Sequence, residues 1–73
     1  MTVGKFITTF LFPHEDVMIK SMDRQIQTDI ITLCTKHGRE VIQKYKDKKV
    51  LSIFSGRYRD KERETSYICI IME

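Results

Sequence analysis

Tryptophan is absent from this 73-residue chain, proline occurs once, and there are only three glycines and two cysteines. The glycines, Gly4, Gly38 and Gly56, stand far apart, which excludes a glycine-rich loop that cradles phosphates. Cys34 and Cys69 have no C-x-x-C pairing, and with His14 and His37 they form no close ligand set. No metal site is therefore assigned, and both cysteines are expected as buried free thiols in predicted core segments. Long apolar runs are also missing. The stretch Phe6 to Phe12 is interrupted by Thr8 and Thr9 and closed by Pro13, too short and polar for a signal segment, and nothing approaches the roughly eighteen residues of a membrane span. A cytoplasmic protein with no membrane partner is expected.

Catalytic equipment is equally sparse. Cys34 and His37 are three apart and could meet on one helix face, where an imidazole can activate a thiol. No orienting third group or oxyanion site accompanies them. No catalytic residue and no cofactor is assigned, and a non-enzymatic protein is expected. The length accommodates one domain, residues 1–73, whose thin core leaves little room for a deep substrate pocket.

What is present is a globular composition, 41% hydrophobic and 32% charged, with four phenylalanines and three tyrosines. The net charge is only +3, but it is unevenly placed. Residues 1–38 are balanced, residues 39–63 carry nine cations against four carboxylates, and the last ten carry only Glu64 and Glu73. All the excess positive charge thus sits in one third of the chain, which points to an anionic partner.

Val3 to Phe12 is rich in β-branched and aromatic residues, with Phe6, Phe10 and Phe12 sharing a parity, and is expected as a strand. Residues 14–22 suit either a return strand or the start of a helix. The strand is favoured for Val17 to Met22, because Phe-Pro-His-Glu-Asp is turn-like. Met22, Ile26, Ile30, Leu33 and Cys34 recur at helical spacing, with Asp23 as N-cap and Gly38 as the left-handed stop. Period two returns at Val41, Gln43 and Tyr45, a turn falls at Asp47-Lys48, and Val50 to Phe54 reads as the returning strand of a hairpin. Gly56 marks a bulge or bend. Arg57 to Glu64 reads as a polar hairpin tip leading into a hydrophobic C-terminal strand from Tyr67 to Met72. The expected fold is α+β, a small antiparallel sheet of four to five strands with one amphipathic helix packed on one face.

The candidate site is the basic segment. Lys44, Tyr45, Lys46, Lys48 and Lys49 cluster at one turn, and Arg57, Tyr58, Arg59, Lys61 and Arg63 at the next connection. Cations neutralise phosphates, while a tyrosine face can stack on an unpaired base. Arg57 and Arg59 share strand parity and would project as parallel phosphate forks. No duplex-reading helix motif appears, so the sheet would be the reader and RNA, or single strands generally, the preferred ligand. A strand apolar on both faces, with Ile7 and Leu11 opposite the phenylalanines, would also need cover beyond one helix. That favours a homodimer through the Ile7 and Leu11 face or a sheet edge.

In length, cytosolic character, compact α+β make-up and want of a catalytic signature, the whole chain resembles the small early proteins with which bacteriophages redirect a bacterial host. The resemblance is one of type, carried by no motif, and it transfers no site residue. It implies a stoichiometric binder of RNA, DNA or a host protein that modulates host or cellular processes. The basic third tilts the reading to nucleic acid. The alternative is an inhibitor docking an apolar face or sheet edge on a host protein.

Overall fold

The first element is a helix. The computed structural model describes residues 1–73, apart from the side chain of Asp60. In it α1 spans Val3–Phe10, where the sequence suggests a strand. The hydroxyl of Thr2 accepts the Lys5 N–H at its N-cap, and Val3 and Ile7 are buried on one stripe, so a helical period underlies the apparent alternation of phenylalanines. Phe6 and Phe10, one turn apart, bring their rings to 5.4 Å. The Leu11 N–H closes the helix onto the Ile7 carbonyl.

Strand β1, Asp16–Ser21, alternates buried Val17, Ile19 and Ser21 with half-buried neighbours, as the favoured reading of residues 17–22 holds. The helix expected from Asp23 to Gly38 is not there. The chain turns at residues 22–25, returns beside β1 through the Lys20 and Gln27 bridge, and forms β2 at Ile31–Thr32. Thr28, Asp29, Ile30, Ile31 and Thr32 are each poor helix formers, and the Thr28 hydroxyl instead accepts the Ile19 N–H at 2.9 Å. Met22, placed on the expected apolar stripe, is 64% exposed.

The second helix, α2, spans Lys36–Tyr45 and so includes Gly38 rather than ending there. Thr35 caps it by accepting the Gly38 N–H at 3.0 Å. Gly38 is needed for close approach: a Cβ there would lie 2.1 Å from the Thr32 carbonyl oxygen. Val41, Ile42 and Tyr45, read as alternating strand positions, instead pack their partly buried side chains against the core from α2.

Two long strands follow, β3 at Val50–Asp60 and β4 at Arg63–Met72, a hairpin joined by Lys61-Glu62. The sheet order is β2-β1-β4-β3. It is mixed rather than antiparallel, because β1 runs parallel to β4, with Val17 opposite Ile68 and Ser21 opposite Met72. The chain between β1 and β4 includes α2, which gives the length to return to the same end. The fold is thus α+β, with four strands and two helices. The core lies on the helix side, where Val3 and Ile7 meet Val17, Ile19, Ile31, Leu33, Ile70 and Met72. No helix is long and apolar enough to cross a membrane among the described residues.

The expected need for cover on both sides of residues 3–12 falls with the strand. Ile7 is in the core and Leu11, half-buried, packs against it, so one helix side takes up both residues that a strand would have left facing away from the phenylalanines. Cys34 is exposed in the turn before α2, against expectation, and Cys69 is buried as expected. His37 lies on α2 while Cys34 precedes it, so the two do not share a helix face. The irregularity of β3 falls between Val50 and Ser52, and Gly56 sits in regular register opposite Tyr67.

Candidate functional site

The pairing of β1 with β4 begins at Val17 and Ile68, but the β3–β4 hairpin continues through five further rows, from Gly56 opposite Tyr67 to Asp60 opposite Arg63. Residues 56–67 therefore stand beyond the sheet as a two-stranded ribbon. Alternation assigns its side chains to two faces. Arg57 and Arg59 share the helix side, opposite Ser66 and Glu64. Tyr58, Arg63 and Tyr67 take the other side, and the two tyrosine rings lie 6.1 Å apart. Lys61 occupies the turn with φ of 56°. The expected interleaving of cations and tyrosines is thus resolved into one face with Arg57 and Arg59 and another with both tyrosines and Arg63.

All the cations of the ribbon are exposed. The Arg57 guanidinium approaches the Glu64 carboxylate at 3.8 Å, with both side chains well exposed. In water such a pair contributes little and leaves Arg57 available to a stronger anion.

The other half of the candidate site lies elsewhere. Lys44 is in the last turn of α2 and Lys46 caps it, while Lys48 and Lys49 lead into β3. Their backbone is fixed by α1, whose Val3 and Gly4 N–H groups donate to the carbonyls of Lys48 and Lys46, both at 2.9 Å. The Lys44 ammonium sits 5.4 Å from the Tyr45 ring centroid. Tyr45 is partly buried against the core. The nearest members of the two basic clusters, Lys49 and Arg57, are eight steps apart along the chain that forms β3, about 26 Å when extended. The clusters form two patches at opposite ends of the strand rather than one surface.

The chain matches no protein-family model, no curated protein and no solved structure.

On the helix-free side of the sheet, sequence reasoning missed residues that the register brings beside Tyr58. Phe54, Gly56 and Tyr58 share a face of β3, with Cys69 and Tyr67 opposite the first two. Lys20 stands opposite Ile71 on the same side. The only available signal was the parity of residues 54 and 58, because Tyr67 and Lys20 come from strands whose pairing no local pattern specifies. Phe54 is 49% exposed, whereas Cys69 beside it is 1% exposed, and burial pushes the Cys69 thiol above its ordinary value.

A groove of about 660 Å³ opens at this end, between Phe54, Ile71 and Ser52 on one side and the turn carrying Arg24 and Gln27 on the other. The turn is built by Asp23, whose carboxylate accepts the Ser21 hydroxyl at 2.6 Å and the Gln25 N–H at 3.0 Å. The Ser21 bond and then the Gln25 bond hold the Asp23 carboxyl below its usual range. Arg24 itself has φ of 64°, a left-handed conformation that a non-glycine residue adopts only when its surroundings impose it.

Proposed function

We propose that this protein binds single-stranded nucleic acid, RNA foremost, through the projecting ribbon, with Arg57, Arg59, Lys61 and Arg63 neutralising phosphates. The observation that carries the reading is the ribbon itself: residues 56–67 leave the sheet and expose four cations with a tyrosine pair at their base. A two-stranded ribbon presents side chains on both faces to a flexible strand, and its contacts to phosphate are insensitive to sequence. Lys44, Lys46, Lys48 and Lys49 form a second phosphate-binding patch that only a longer ligand reaches.

Binding of a labelled oligouridine across a salt series tests this. Four phosphate contacts give a slope of about −3 in log K against log salt, at roughly −0.7 for each. Reversing Arg57 and Arg59 to glutamate abolishes binding while leaving the melting temperature within a few degrees, since both side chains are exposed. Absence of binding at low salt, or binding that ignores salt, overturns the reading.

A second reading rests on the sheet edge. β3 ends the sheet, and the N-terminus meets it at its start, through the Thr2 and Lys49 bridge and the Val50 N–H bond to the Met1 carbonyl, so its later residues could receive an extended segment of a partner protein. Retention of partner material after nuclease treatment favours this second reading, and its loss favours the first.

A further inference from the structure

Both helices pack on one side of the sheet, and the other side is bare. A solvated sheet face normally carries polar side chains. This one instead presents Met18, Phe54, Ile71, Tyr58 and Tyr67.

The three rings form a row. Between Phe54 and Tyr58 on β3 stands Gly56, and a Cβ there would come within 2.5 Å of Tyr67 Cζ and 2.6 Å of its hydroxyl oxygen. The absent side chain is what lets the Tyr67 ring lie over β3 and close the gap between its neighbours. Tyr67 and Tyr58 are 6.1 Å apart, and residues two apart on a strand are about 6.6 Å apart. That spacing is near twice the 3.4 Å rise of a stacked duplex strand. Bases meeting these rings in turn must be unstacked from one another, which a single strand allows and a duplex does not.

Charge continues the row at both ends. Arg63 lies beyond Tyr58 on the same face. At the opposite end the groove is lined by Lys20 and Arg24 and, among the described residues, by no carboxylate. Asp23, next to Arg24 in the chain, keeps its negative charge but does not line the groove, its carboxylate being turned to the Ser21 hydroxyl and the Gln25 N–H. Gln27 and Ser52 add hydrogen-bonding groups to the groove, and Phe54 supplies an apolar wall. Cations flanking rings, with amide and hydroxyl groups beside them, are complementary to a phosphodiester chain with bases turned towards the protein.

We propose that the helix-free sheet face is the base-reading surface: Phe54, Tyr67 and Tyr58 stack unpaired bases of a single strand, and the Lys20 and Arg24 groove holds the nucleotide next to Phe54. This rests on the nucleic-acid reading above and extends it from the ribbon's cations to aromatic residues and a groove at the sheet's other end. The ribbon supplies charge, and the face supplies stacking.

The two parts are separable by their salt dependence. Phe54→Ala lowers the affinity for oligouridine by roughly 5- to 150-fold, the range for losing one base–aromatic stack, with the salt slope unchanged because no phosphate contact is lost. Phe54→Tyr retains binding, which distinguishes stacking from loss of fold, and circular dichroism verifies that both variants are folded. Lys20→Glu weakens binding and flattens the slope by about 0.7 or more. Oligouridine binds more tightly than a duplex of equal length. Wild-type affinity in folded Phe54→Ala overturns the stacking face while leaving the ribbon reading intact, whereas preference for the duplex overturns the single-strand specificity that both readings share. Failure of the wild-type protein to bind oligouridine at low salt overturns both.

Discussion

Replacing Gly38 by alanine separates what helix propensity dictates from what this fold dictates. In an exposed helix interior, alanine is favoured over glycine by about 1 kcal/mol. Here the added Cβ would stand 2.1 Å from the Thr32 carbonyl oxygen and 3.0 Å from the Thr35 Oγ1, against an ordinary carbon–oxygen contact of about 3.4 Å. The deficit exceeds 1 Å and falls on backbone, so no rotamer change relieves it. α2 must withdraw from β2, loosening the 3.0 Å bond from the Gly38 N–H to Thr35 and the 2.7 Å bond from the Thr35 hydroxyl to the Thr32 carbonyl. Overpacking of this kind costs about 1–3 kcal/mol, more when backbone must move. Setting about 3 kcal/mol against the propensity gain leaves a net loss of about 2 kcal/mol, or a fall of roughly 8–16 °C in Tm for a domain this size. Thermal and urea unfolding followed by circular dichroism measure it. Gly38→Asn, which a left-handed helix stop would accept, should be at least as damaging. An alanine variant as stable as the wild type, or more so, would refute the packing of α2 on Thr32.

Two further outcomes follow from backbone and burial. Lys61→Gly relieves a φ of 56° at the hairpin turn and should raise stability by about 1 kcal/mol, while removing one phosphate contact and flattening the salt slope by about 0.7; an unchanged or lower Tm would contradict the turn geometry. Cys34 is exposed and Cys69 buried, so a thiol reagent should modify one cysteine quickly and the second only on unfolding, and simultaneous fast reaction of both would contradict the placement of Cys69 in the sheet.

The parts of the fold legible in the sequence are those where local pattern and tertiary burial agree. The strand at Asp16–Ser21, the start of β3 and the hydrophobic C-terminal strand all combine β-branched residues with neighbours that suit a sheet. The concentration of positive charge in residues 39–63 is likewise a property of the chain alone. Elsewhere two periods competed. Residues 3–10 satisfy both an alternating and a helical pattern, and what decides is the Thr2 cap together with burial of Val3 and Ile7 on one stripe. Residues 22–34 carry a helical spacing of apolar groups, yet the buried ones are Ile31 and Leu33, two apart, because this stretch closes the edge of β1 instead of packing a helix on it.

The candidate site divides in the same way. Its cations are countable from the sequence, but whether they share a surface depends on β3 running in regular register from Ser52 to Asp60, which sends Lys44 to Lys49 and Arg57 to Arg63 towards opposite ends. The aromatic row depends on still more distant pairing, since Tyr67 reaches Gly56 only through the antiparallel register of β4, and Lys20 reaches that face only because β1 runs parallel to β4. Composition and local periodicity thus determined three of the strands and the sign of the charge, while the α+β class came out right with its helices in other places. Strand register, a long-range balance of burial that no short window contains, decided which of those residues face the same way.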